Sequence, residues 1–241
     1  EMERKARLLY FSNRRSEKEF YEMQRRLNRP MFVYIVYAKL LCAEVYDGRE
    51  DYAKALEYTY QYADLSWVRE TDEDTKHWLN LFRKWSRANI CVNRLKSGEI
   101  DYLPEYVEFM AENLDEFIQS ISNVMYAANR YSIDVDHILE KFKSEIEAHI
   151  NLKQTKDLYK DQVLPNCYNQ FLYDLTSYYL RKKDYITGFN YLMQGLENSV
   201  IINNKEALLD FMVLFEHHRH MASIEICQKY NKIVCEVKRS L

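Results

Sequence analysis

A chain of 241 residues, 47% hydrophobic and 15% aromatic, is long enough for a large core or a repeat array, and with only four glycines and three prolines it lacks the turn residues of a sheet protein. Its formal charge of −3 gives no global attraction to nucleic acid, and no run approaches the ~18 apolar residues of a membrane span. No basic-plus-apolar leader marks it for secretion, so the cytoplasm is the expected compartment.

Residues 1–30 hold nine basic and five acidic side chains, whereas residues 43–74 hold ten acidic and three basic. The chain starts without an initiator methionine and already in a helical pattern, which implies sequence upstream of Glu1. Leu8, Leu9, Phe11, Phe20, Met23 and Leu27 predict two short N-terminal helices, with the arginines around them on a solvated face. The best organised stretch follows. From about Pro30 to Tyr46 the pattern is apolar almost all round, as in a helix covered on several sides, and Gly48 stands where it must stop. Tyr52, Ala55, Leu56, Thr59, Tyr62 and Ala63 then share one helix face, with Lys54, Glu57, Gln61 and Asp64 opposite.

Thr71 reads as the N-cap of the next helix, with Asp74 three residues on and Asp72 and Glu73 complementing the helix dipole. That helix runs to about Lys96, carries Trp78, Phe82, Trp85, Asn89 and Val92 on one stripe, and ends at Ser97-Gly98. Asn89 interrupts the stripe and needs hydrogen-bond partners, which a structural amide would have. Pro30, Pro104 and Pro165 each fit the first turn of a helix. Helical spacing continues from Pro104 to Arg130, broken near Glu112-Asn113, and again over residues 133–150 through Val135, Ile138, Leu139, Phe142 and Ile146. A helix from about Asn204, with Leu208, Phe211, Met212 and Phe215 inward, and one from Ala222, with Cys227, Tyr230, Val234 and Val237, close the chain.

Catalytic signatures are missing: there is no glycine-rich phosphate loop, nucleophile elbow or nominable triad, so the chain does not read as an enzyme. Cys42, Cys91, Cys167, Cys227 and Cys235 are odd in number, widely spaced and set in helical patterns, which fits free thiols in a reducing compartment. Glu216, His217 and His220 are the only clustered ligand types; lacking an HExxH pattern, they read as a solvated helix end, and no metal or other cofactor is expected.

Two stretches share a plan. Tyr46, Asp51-Tyr52 and Ala55 in one correspond to Tyr179, Asp184-Tyr185 and Gly188 in the other. With Ala43 in the first copy and Leu172, Leu175, Leu192 and Gly195 in the second, this resembles the tetratricopeptide repeat, a helix-turn-helix of about 34 residues. Thr176 stands where that family prefers glycine, and Lys39, Thr59 and Tyr62 depart from its pattern. The expected fold is all-α, antiparallel helical hairpins stacked as a right-handed solenoid in one domain over 1–241. Residues 1–30 would supply N-terminal helices, 31–200 the hairpins and 201–241 the capping helices.

The irregular Tyr/Asn/Lys-rich hairpin YDLTSYYLRKKDYITGFNYLMQGLENSVIINNKEALL, with capping helices after it, also resembles the regulatory region of Gram-positive tetratricopeptide pheromone receptors, the Rgg/PlcR type of transcription regulator. That resemblance implies a short signalling peptide on a concave face, a homodimer, and contact with DNA only through a helix-turn-helix domain upstream of Glu1. It places peptide-contacting positions on the first helix of each hairpin, at Tyr37 and Glu44 and at Gln170, Tyr173 and Arg181. Asn80, Arg83 and Arg87, opposite the Trp78 stripe, offer partners for peptide backbone or carboxylates. The rival expectation is a constitutive scaffold for a partner protein.

Overall fold

The computed structural model describes residues 2–12, 29–152 and 163–240, and every regular element among them is a helix. The N-terminal positions Phe20, Met23 and Leu27 lie outside the described residues. The described chain forms two compact units, residues 1–109 and 110–241, and the boundary falls inside a helix.

The first unit contains α1 (Met2–Ser12), α2 (Met31–Asp47), α3 (Tyr52–Ala63), α4 (Glu73–Lys96) and the start of α5 (Leu103–Glu112). Consecutive helices pack on one another: α1 on α2, α2 on α3, and α3 on α4. Tyr10, Phe32 and Phe82 are fully buried, and the Trp67 ring meets Tyr10 and Phe32 edge-on at 5.3 and 6.5 Å. The α3 stripe lies inward as its spacing requires, with Tyr52, Ala55, Thr59 and Tyr62 buried. Asn89 is a structural amide, for its Nδ2 donates to the Tyr62 hydroxyl at 2.8 Å. Lys96 joins the ends of α4 and α2 through the Asp47 carboxylate, 2.9 Å away.

One local expectation is corrected. The N-cap of α4 is Asp72, which accepts from the Thr75 backbone N–H and hydroxyl, both at 2.9 Å; a carboxylate one residue closer to the helix outcompetes Thr71. Helix α2 stops at Gly48 as expected, with that residue as a right-handed C-cap, and the left-handed residue of the turn is Glu50, at φ 58°. Helix α2 packs on α1 and α3, while Tyr37, Leu41 and Val45, one turn apart, remain 38%, 44% and 52% exposed.

The second unit holds α6 (Phe117–Tyr131), α7 (Asp136–Lys141), α8 (Lys143–Leu152), α9 (Val163–Arg181), α10 (Tyr185–Ile201), α11 (Lys205–His218) and α12 (Ile224–Ser240). Helix α9 is the hub, packed against α6 and α10, and α10 in turn carries α11 and α12. Phe171, Leu172, Leu175 and Tyr178 supply the buried face of α9. At the far end of the unit, Phe189 meets Phe215 at 5.8 Å and Phe215 stacks on Tyr230 at 3.8 Å, which seats the last helix.

The two similar hairpins, α2–α3 and α9–α10, are built alike. Each ends its first helix with a left-handed residue, Glu50 or Lys183, whose successor donates its backbone N–H five residues back, Asp51 to Tyr46 and Asp184 to Tyr179. Each aspartate then caps the next helix, accepting at 3.2 Å from Lys54 or Thr187. Tyr46 stacks on Tyr58 at 5.5 Å in one, Tyr179 on Tyr191 at 5.8 Å in the other.

Candidate functional site

Polar residues in α9 fall on one flank because Asn166, Gln170 and Asp174 are spaced four apart and Tyr173 and Arg181 lie beside that line. The opposite side is committed to the core, so this flank is what the helix can offer to a ligand. Two glycines in α10 shape what faces it. At Gly188 a Cβ would come within 2.9 Å of Leu180, so its absence lets α10 lie close to α9. At Gly195 a Cβ would overlap the Phe211 ring, and the vacated space lets that ring of α11 lean in until it meets Tyr173 edge-on at 5.6 Å.

Between the start of α9 and the start of α11 lies a recess of 270 Å³ with Tyr173 and Phe211 among its walls. Its rim is amide-rich: Asn166, Asn169, Gln170 and Asn204, with the carboxylates of Glu206 and Asp210 completing it. Asn204 has two jobs. Its Oδ1 accepts from the Ala207 N–H at 3.0 Å as the α11 cap, and its Nδ2 donates to Asn166 Oδ1 at 2.9 Å across the mouth. Behind the wall, Asn169 donates to Ser199 Oγ at 3.0 Å and accepts from Asn198, whose own Oδ1 is buried without a donor. An interior held by such amides fixes the rim side chains in place.

Asp174 is 7% exposed, and no cation meets it among the described residues. Gln170 Nε2 donates to its carboxylate at 3.3 Å, while Asn129 of α6 donates to its backbone carbonyl at 2.8 Å. Desolvation pushes the carboxyl up to about 7, against the opposing effect of those amides. Tyr173 is also held above its ordinary range, by burial first and then by the negative charges of Asp210 and Asp174. One phenol thus senses two carboxylates from different helices.

The expected peptide-contacting residues divide between the units. Gln170 and Tyr173 line the recess, and Arg181 stands at the other end of α9, donating to the Ala128 carbonyl at 2.9 Å with its guanidinium 5.4 Å from the Tyr178 ring. In the first unit, Tyr37 and Glu44 are exposed on α2, and the Glu44 carboxyl is hemmed in enough that desolvation, with Asp47 adding like charge, raises its pKa. Asn80, Arg83 and Arg87 are exposed on α4; Arg83 donates to Asn80 at 3.4 Å, and Arg87 lies 3.7 Å from Glu105. An open hollow of 660 Å³ in this unit, lined by Arg7, Phe11, Glu57, Tyr60, Gln61, Asp64 and Trp67, contains none of those five.

Sequence reasoning missed Asn166, Asn169, Asp174, Glu206 and Asp210. The four-residue spacing of Asn166, Gln170 and Asp174 was a readable signal; the approach of α11 was not. His217 and His220 find no third His, Cys, Asp or Glu to make a group of three among the described residues, and His218 Nδ1 lies 3.1 Å from the Leu214 carbonyl. No described helix is long and apolar enough to cross a membrane. Comparison with family models, with curated proteins and with solved structures gives no match for this chain.

Proposed function

We propose that this chain is a peptide-binding regulatory domain, the sensor part of a bacterial transcription regulator, and that the flank of α9 receives the peptide. The observation that carries this reading is the amide-lined recess: Asn166, Asn169, Gln170 and Asn204 converge on one hollow beside Tyr173. Side-chain amides both donate and accept, so a row of them matches the alternating N–H and C=O groups of an extended peptide whatever its sequence. An aromatic floor adds contact area at low entropic cost. The resemblance of the α9–α10 hairpin to pheromone receptors supports the same reading, and with it a cytoplasmic location, a homodimer, and DNA contact through a domain outside this chain.

The test is recovery of ligand. The protein, purified from its native host and denatured, is expected to release a short peptide detectable by mass spectrometry. In calorimetry the synthetic peptide is then expected to bind Asn166→Ala/Gln170→Ala more than about tenfold more weakly, or 1.4 kcal/mol. Unchanged affinity in a folded variant removes the α9 flank from the function. A constitutive scaffold for a partner protein is the second reading, favoured by the exposed Tyr37, Leu41 and Val45 on α2; capture of a protein and no peptide would select it.

A further inference from the structure

The recess has a charge as well as a shape. Glu206 and Asp210 stand one turn apart on α11, no Lys, Arg or His lines the hollow, and neither carboxylate is ion-paired among the described residues. Asp174, which follows the lining residue Tyr173 in α9, is more than nine-tenths buried; Gln170, part of the lining, donates to its carboxylate and Asn129 to its backbone carbonyl. The half-buried Tyr173 ring, held edge-on to Phe211, offers an aromatic surface to the same ligand.

We propose that this recess takes a cationic group of the bound peptide, an arginine or lysine side chain or a free N-terminal ammonium, between Glu206, Asp210 and Tyr173. The proposal rests on the peptide-binding reading and narrows it to peptides with a positive group at the position that reaches α11. A planar guanidinium suits the site well, since it pairs with carboxylates through several N–H groups and stacks on rings.

The experiment uses three small probes on the whole isotope-labelled protein: N-acetylarginine N-methylamide, its neutral citrulline counterpart, and glycine N-methylamide, which carries a free ammonium. The side-chain amide resonances of Asn166, Gln170 and Asn204 are followed by NMR. A cationic probe is expected to move them and the citrulline probe to leave them in place; response to the arginine probe assigns a side chain, response to the glycine probe an N-terminus. Glu206→Gln/Asp210→Asn, both exposed positions, is expected to weaken the response about tenfold. Equal response to arginine and citrulline, no response to either cation, or full response in the double variant overturns the inference. A retained host peptide with no basic group and undiminished affinity for the double variant overturns it too, while leaving peptide binding intact. Cation binding in a protein that retains no peptide would instead count against the peptide reading alone.

Discussion

Gly195 carries no side chain where the Phe211 ring needs the room, and that ring helps form the floor of the recess. Gly195→Ala is therefore expected to cost about 1–3 kcal/mol, the usual range for overpacking, read as a lower melting temperature. Gly188→Leu is expected to destabilise through Leu180, whose backbone nitrogen lies 3.2 Å from an added Cβ; an unchanged melting temperature would show that the two helices are not in close contact there. Asp174 gives a prediction with a sign. Its folded pKa is raised from 3.8 to about 7, so the folded chain holds the proton more tightly than the unfolded one. Below the unfolded value both states are protonated and Asp174 costs nothing. As pH rises through the window up to about 7, stability falls, in total on the order of 4 kcal/mol at 1.36 kcal/mol per unit. Asp174→Asn keeps an acceptor for Gln170 and removes the titration. The variant is expected to match wild type in denaturant melts near pH 4 and to exceed it increasingly up to pH 8; parallel curves would mean that Asp174 is not buried as a carboxyl.

At the scale of elements, one turn recurs. Glu50, Gly98, Ser132, Lys183 and Asn203 all have positive φ, and after each the next residue donates its N–H to a carbonyl five back. Only one of the five is glycine, which is how an all-helical chain manages with four. A non-glycine residue in this conformation costs roughly 1 kcal/mol. Glu50→Gly and Lys183→Gly, both exposed, are accordingly expected to raise the unfolding free energy by up to about that amount each, measured in urea; a loss at both positions would refute the turn assignment. These positions also mark the limit of legibility. The cap of α4 was read at Thr71 and is Asp72, but the 3.6-residue stripes were plain in the sequence, because burial writes them there. The left-handed residues were not, since Glu50 and Lys183 have no preference for that conformation and are placed there by where the packed helices end. Gly48 does stand at the end of α2, as its C-cap, but the left-handed turn comes two residues later.

At the scale of the molecule, the helical class followed from composition, whereas the division near Phe109 falls within α5, just before the break in helical spacing near Glu112-Asn113 that the sequence did show. The recess was half legible. Gln170 and Tyr173 could be named from their hairpin, but Asn166 meets Asn204 across 38 residues, and Glu206 and Asp210 looked like any solvated helix face until α11 was seen against α9. The hollow of the first unit is lined by none of Tyr37, Glu44, Asn80, Arg83 and Arg87, so the central claim concentrates function in the second. Hydrogen–deuterium exchange with and without the recovered peptide tests that claim most directly. Slower exchange is expected at the start of α9 and the first turns of α11, with the α2–α3 hairpin unchanged; protection confined to the first unit, or none at α9, would contradict the account.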